Sequence, residues 1–150
     1  MKRVNKTPVF MGLLLLGGVV LLISSAFKTD SRTGSSSNPS GDWFAPASSD
    51  TIKNPFKGDA ASVAEGKKIY QKNCVVCHGD KGKGDGVASA GLTPKPADHS
   101  SDKCQKQSDG VLFWKITNGR SPMPAYASIL KKNERWALVN YIRTLSKSKK

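Results

Sequence analysis

Period-two alternation is missing from this sequence, so strands are not expected and neither is an internal repeat. Cysteine is scarce and odd in number: Cys74, Cys77 and Cys104. Three thiols exclude a framework built purely of disulfides. Histidine is scarcer still, with only His78 and His99. A zinc site on Cys74 and Cys77 would need two further ligands from His78, His99 and Cys104, which are poorly spaced for it. A thioredoxin-like dithiol would need a strand–helix context that is absent. Acidic residues are also few, 11 Asp and Glu against 24 Lys and Arg, for a net charge of +13 at pH 7. Three of the basic residues (Lys2, Arg3, Lys6) belong to an N-terminal element, and the other 21 still leave about +10. Such a surface favours acidic partners or anionic lipid.

The N-terminal element, residues 1–27, reads as an export signal or a transmembrane anchor. Its basic start precedes an uncharged run from Pro8 to Phe27, so the basic flank should stay in the cytoplasm while the rest crosses. The run is just long enough to span a hydrocarbon core and remain as an anchor. Ser24-Ser25-Ala26 is at the same time a small-residue site for signal cleavage. No cysteine lies near the end of the run, which excludes a lipid-modified N-terminal cysteine. Both readings put the rest of the chain beyond the membrane, away from nucleic acid. Residues 28–54 read as a flexible tether rich in Ser, Gly and Pro, with a reach of roughly 30 Å. Trp43-Phe44 and Pro55-Phe56 interrupt it and are expected to dock on the domain that follows.

That domain, residues 55–147, is small for an independent core, so a covalently held cofactor would be a useful packing partner. Three helices are predicted. The first covers 60–73, with Val63, Gly66, Ile69 and Tyr70 on one stripe. The second covers 109–118, between a Ser108 cap and a Gly119 stop. The third covers 133–145, with Leu138, Tyr141, Ile142 and Leu145 at the spacing of a buried face. Between the first two, Gly79 to Gln107 is too rich in glycine and proline for regular structure over most of its length. A loop this long in a small domain should pack on something functional.

Cys74-Val75-Val76-Cys77-His78 carries the chemistry. On a helical turn these thiols and the imidazole share a face. Two thiols so placed can form thioethers with the two vinyl groups of one haem and aim His78 at its iron. The expected cofactor is therefore one covalent haem c. A second axial ligand must come from elsewhere. Outside the N-terminal element Met123 is the only methionine, and Pro122 and Pro124 stiffen the backbone around it. Met123 is the expected sixth ligand. His99, in the polar run after Pro94-Lys95-Pro96-Ala97-Asp98, is read as a surface histidine.

With these pieces in place, residues 59–146 resemble a class I cytochrome c domain, in particular the small bacterial ones found alone or fused to oxidases and quinol-oxidising complexes. The matching segments are Glu65-Gly66-Lys67-Lys68-Ile69-Tyr70, the haem motif with Gly79, Gly82-Lys83-Gly84-Asp85-Gly86, Leu92 to Asp98, Asp109 to Phe113, Ile116 to Gly119, Pro122-Met123-Pro124 and Trp136 to Arg143. The resemblance implies an all-α fold, three or more helices with long loops wrapped around one haem. It implies that the first and last helices cross near Gly66 and an aromatic of the last helix, Tyr141. It also implies that a backbone carbonyl near Pro94 accepts the Nδ1 proton of His78. Cys104 departs from the family loop and is expected to be a buried thiol, with an intermolecular disulfide as the alternative.

Iron with both axial positions filled has no open position for a substrate, which points to electron transfer and away from catalysis. The expected role is a carrier between a quinol-oxidising complex and a terminal oxidase, held at the inner membrane or exported to the periplasm. Lysines 81, 83, 95, 103, 106, 131 and 132 fall in loops expected to surround the haem; such a run is ordinarily only a solvated face, but if it rings the exposed haem edge it would steer an acidic redox partner. The alternatives are a subunit of a periplasmic dehydrogenase, or a ligand-binding, peroxidase-like haem protein with Met123 displaced. A sensor would need an output domain, and none follows before Lys150.

Overall fold

A computed structural model of the chain describes residues 42–146. The export element and residues 28–41 of the tether lie outside them. Among the described residues are five α-helices: α1 (Ala60–Asn73), α2 (Val75–His78), α3 (Asp102–Gln105), α4 (Asp109–Asn118) and α5 (Lys132–Thr144). Two short 3-10 turns, Ala47–Thr51 and Ser89–Gly91, complete the helical structure. The only β-pairing among these residues is a single bridge between Arg120 and Met123. No helix among them is long and apolar enough to cross a membrane.

The three predicted helices form where local chemistry starts and stops them. Asp59 caps α1 by accepting from the N–H groups of Ala61 at 2.8 Å and Ser62 at 3.4 Å. The Ser108 hydroxyl caps α4 by accepting from Val111 N–H at 3.2 Å, and α4 ends at Gly119. Just before α5, the Lys131 N–H donates to the Glu134 carboxylate at 2.6 Å. The loop from Gly79 to Gln107 holds more structure than its glycines suggest, since α3 folds inside it around a Ser101 cap.

α1 and α5 cross at Gly66. A Cβ there would lie 1.9 Å from the carbonyl oxygen of Ala137 and 3.0 Å from Tyr141 Cβ, so only a glycine lets the backbones meet. This is the expected crossing, with the Ala137 backbone as the surface that Gly66 meets. Around it Ile69 and Tyr70 of α1 pack with Trp136, Leu138, Val139 and Ile142 of α5. The buried face of α5 is wider than one stripe. From α4, Phe113 stacks on Trp136 with ring centroids 4.0 Å apart.

The tether expected over 28–54 gives way, by residue 42, to chain packed on the domain. Ser49 is buried, and the Gly110 backbone of α4 passes so close that a Cβ would sit 2.0 Å from the Ser49 carbonyl oxygen. Trp43 packs edge-on against Trp114 at 6.3 Å, beneath the cationic groups of Lys115 and Arg120. Asp42 pairs with Lys103. The Asn54 amide donates to Asn140 Oδ1 at 2.8 Å and to Asp109 at 3.1 Å. Trp43 thus docks as expected, whereas Phe44 is 80% exposed.

Arg143 fastens the long loop to α5. It pairs with Asp109 at 2.7 Å and donates to the carbonyls of Gln105 and Gln107. The Gln105 amide in turn donates to the carbonyls of His99 and Ile142. One side of the site described next is therefore held by the last helix.

Candidate functional site

Cys74 caps the C-terminus of α1, its N–H bonded to the Tyr70 carbonyl at 2.8 Å. The chain then turns at once into α2. The N–H groups of Cys77 and His78 both return to the Cys74 carbonyl, at 3.2 and 2.8 Å, which brings both thiols and the imidazole together on one turn. The glycine-rich run that follows folds back over α2. Gly84, Gly86 and Ala88 N–H groups donate to the carbonyls of His78, Cys77 and Val76. Carbonyls that end a helix with no further turn to satisfy them are satisfied by this loop.

His78 is buried, at 9% exposure, and its Nδ1 lies 3.0 Å from the Ala97 carbonyl oxygen. The acceptor expected near Pro94 is therefore the carbonyl three residues further along; Pro94 contributes to the wall of the cavity instead. Nδ1 donates there, which leaves Nε2 as the lone-pair nitrogen. Burial lowers the His78 pKa and keeps the ring neutral, as a metal ligand requires. Burial also pushes the Cys74 thiol up to about 12, so Cys74 is a protonated thiol before any thioether forms.

His99 is not the surface residue expected from its polar flanks. Its ring stacks on that of His78, centroids 4.0 Å apart and planes 17° from parallel. Its pKa is pushed down to about 3, by burial first and then by His78. Cys104 is buried, as expected, and its thiol pKa is raised by burial.

Met123 sits half-buried in a loop clasped by its own backbone, with Arg120 N–H donating to Met123 O at 3.0 Å and Met123 N–H to Arg120 O at 2.8 Å. Beyond it, Tyr126 and Ala127 N–H groups donate to the carbonyls of Ile116 and Thr117 on α4. The Tyr126 hydroxyl donates to the Asn73 carbonyl at 2.9 Å, directly before Cys74. The methionine loop is tied both to α4 and to the start of the cysteine motif.

These pieces line one cavity of about 900 Å³, at the upper end of the size of small-molecule sites. Cys74, Cys77, His78 and Met123 all face it, among apolar groups that include Leu112, Ile116, Tyr126, Leu138 and Ile142. A haem fits this donor set: two thiols for its vinyl groups, a neutral imidazole with Nε2 available, a soft thioether and apolar walls. Of the seven lysines expected around it, Lys95, Lys103 and Lys106 line the cavity, joined by Lys115 and Arg120. Lysines 81, 83, 131 and 132 are exposed and do not line it. Lys103 and Lys106 are paired with Asp42 and Asp102, which moderates the positive rim.

Two contributions escaped the sequence reading. Asp42 and Trp43 line the cavity from a segment read as tether, and His99 lies against the proposed proximal ligand. The signals were faint: an aromatic pair in a polar stretch, and a second histidine in a loop expected to pack on a cofactor.

The family model described as cytochrome c matches residues 63–146. The chain is 34% identical over 103 residues to the cbb3-type cytochrome c oxidase subunit CcoP of Azospirillum sp. (strain B510), covering 64% of this chain and 33% of that subunit. It is 35% identical over 82 residues to cytochrome c6 of Anabaena variabilis, covering 55% of this chain and 90% of that protein. Among solved structures, a chain of the Kuenenia stuttgartiensis reducing HAO-like protein complex aligns with a TM-score of 0.57 and 29% identity, over 64% of this chain and 50% of that one. The chain thus spans about a third of the length of the oxidase subunit and most of that of the small cytochrome.

Proposed function

Because this chain belongs to the cytochrome c family, as a class I c-type cytochrome, we propose that it is a single-haem electron carrier with His78 and Met123 as axial ligands. Covalent haem c and haem-based electron transfer come with the family. The finer reading rests on one observation: Cys74, Cys77, His78 and Met123 line one largely apolar cavity. The bound haem supplies one-electron exchange at its iron.

The residues do the rest. Cys74 and Cys77 hold the group covalently. The bond from His78 Nδ1 to Ala97 O fixes the tautomer and would leave Nε2 free to hold the iron of a bound haem. The clasped loop would hold Met123 in place as the second ligand of a bound haem. Its tethering to α4 and to Asn73 would limit movement of the loop around a bound haem. Apolar walls exclude water, which favours the less charged reduced state and a positive potential.

As partner we propose a cbb3-type terminal oxidase, with electrons supplied by a quinol-oxidising complex, at the outer face of the inner membrane. Support comes from the names of relatives such as CcoP and FixP, from the basic excess of the chain and from the export reading of residues 1–27. The test is twofold. The chain produced with haem-attachment machinery should gain the mass of one haem and show, when oxidised, the long-wavelength methionine–iron band. It should also copurify with oxidase subunits from detergent-solubilised membranes. A haem-bearing protein without the methionine band would remove Met123 as ligand. Copurification with a dehydrogenase instead would reassign the partner.

A further inference from the structure

His99 has no role in the site as described so far, yet it is among the most firmly held residues near it. Its N–H donates to the Gly82 carbonyl at 2.6 Å, and its own carbonyl accepts from the Gln105 amide at 2.7 Å. Its ring lies face to face with His78, 4.0 Å away and 17° from parallel. On its other side stands Tyr70, edge-on at 5.9 Å, with the hydroxyl 3.4 Å from His99 Nδ1. Tyr70 is fully buried and packs on Tyr141 at 5.1 Å. A column of four rings therefore runs from His78 to the crossing of α1 and α5.

The geometry excludes one role and points to another. A ring stacked on His78 at 4.0 Å lies on the same side of the iron as His78, so it cannot serve as the ligand across from it. It can limit how His78 turns. The Nδ1 bond to Ala97 restrains the His78 ring at one edge, and any residual tilt of the ring presses its face against whatever packs there. A flat group packed on the ring face resists that tilt. Two constraints, one at the edge and one at the face, define a plane.

We propose that His99 is a positioning residue, whose ring sets the plane of the His78 imidazole and thereby its rotational angle about the iron–nitrogen axis. This rests on His78 being the proximal ligand. The plane matters because it decides which iron orbital holds the unpaired electron of the oxidised state, and so how that electron spreads over the macrocycle.

The test is the proton NMR spectrum of the oxidised, haem-bearing full chain. Its four ring-methyl resonances are displaced in an order that reports the plane of the axial ligands. His99→Phe keeps a flat ring and should keep the wild-type order, whereas His99→Leu should reorder the methyls. Tyr70→Phe should keep the order, because Tyr70 bonds chiefly to the Gly79 carbonyl, at 3.1 Å. An unchanged order in His99→Leu would overturn the role, and so would equal reordering in the Phe and Leu variants. If His99→Leu does not load haem, the reduced wild type decides: cross-relaxation between the ring protons of His78 and His99 is expected, and its absence overturns the role. A wild type without covalent haem would sink the carrier reading itself. A haem-bearing wild type whose methyl order survives His99→Leu would sink the positioning role alone.

Discussion

Met123 is held by backbone bonds of its own loop and not by deep packing, since its side chain is only half-buried. Truncating it should therefore leave the fold in place and open the iron. Met123→Ala is expected to lose the methionine–iron band, to bind carbon monoxide readily when reduced, and to have a lower potential. Optical titration with carbon monoxide checks this, and a wild type that binds the gas as readily would favour a ligand-binding protein. The Tyr126 side chain acts in the same loop through its hydroxyl bond to the Asn73 carbonyl. Burial raises its pKa from 10 to about 12. A raised pKa adds stability that is fully present below pH 10 and is lost as pH rises toward 12, because the unfolded chain releases the proton first. Urea unfolding at stepped pH should show a shallower alkaline decline for Tyr126→Phe than for wild type. At neutral pH that variant should be less stable by about 1–3 kcal/mol, since the Asn73 carbonyl loses its donor.

At the scale of elements, two close approaches hold the fold. Gly66→Ala would push a methyl into the Ala137 backbone, where the atom already lies within 1.9 Å of the carbonyl oxygen. The helices must separate, at a cost of about 1–3 kcal/mol or more, read as a lower urea midpoint with unchanged slope. The segment from Asp42 to Asn54 is the second. Its aromatic anchor, Trp43, both docks on α4 and lines the cavity. Trp43→Ala should admit water to that wall and lower the reduction potential, because water stabilises the more charged oxidised state. Potentiometric titration would show it, and an unchanged potential would mean that Trp43 only tethers the segment. The glycine of the first approach was legible through the family resemblance, which puts the helix crossing near Gly66. The second was not, since Asp42 and Trp43 sit in a polar run with no periodicity, and their partners are Lys103, Trp114, Lys115 and Arg120.

For the whole molecule the dominant feature is charge. The net charge is +13, the lysines among the described residues are mostly exposed, and Lys95, Lys103 and Lys106 border the cavity. Surface fields of this kind act over about 10 Å at 0.1 M salt and fade above it. The second-order rate of electron transfer to a partner oxidase is expected to fall as ionic strength rises. Stopped-flow oxidation that ignores salt would remove the steering role. The ion pairs of Lys103 with Asp42 and of Lys106 with Asp102 should make the dependence weaker than the raw charge suggests.

Apart from the glycine at the helix crossing, which came with the family resemblance, the sequence by itself determined the haem motif, the three main helices, the Ser108 cap and Gly119 stop of α4, and the candidacy of Met123 as a ligand. In each case the chemistry is carried by neighbours along the chain or by a residue type that has no rival. Only the tertiary structure decided that Ala97 supplies the carbonyl for His78, that His99 stacks on the His78 ring and that Trp43 closes part of the cavity. Those contacts depend on the path of a long loop and of an apparent tether through space. That path is set by Arg143, Gln105 and Asn140, whose hydrogen bonds join segments far apart in the chain, and no local pattern records where such bonds will close.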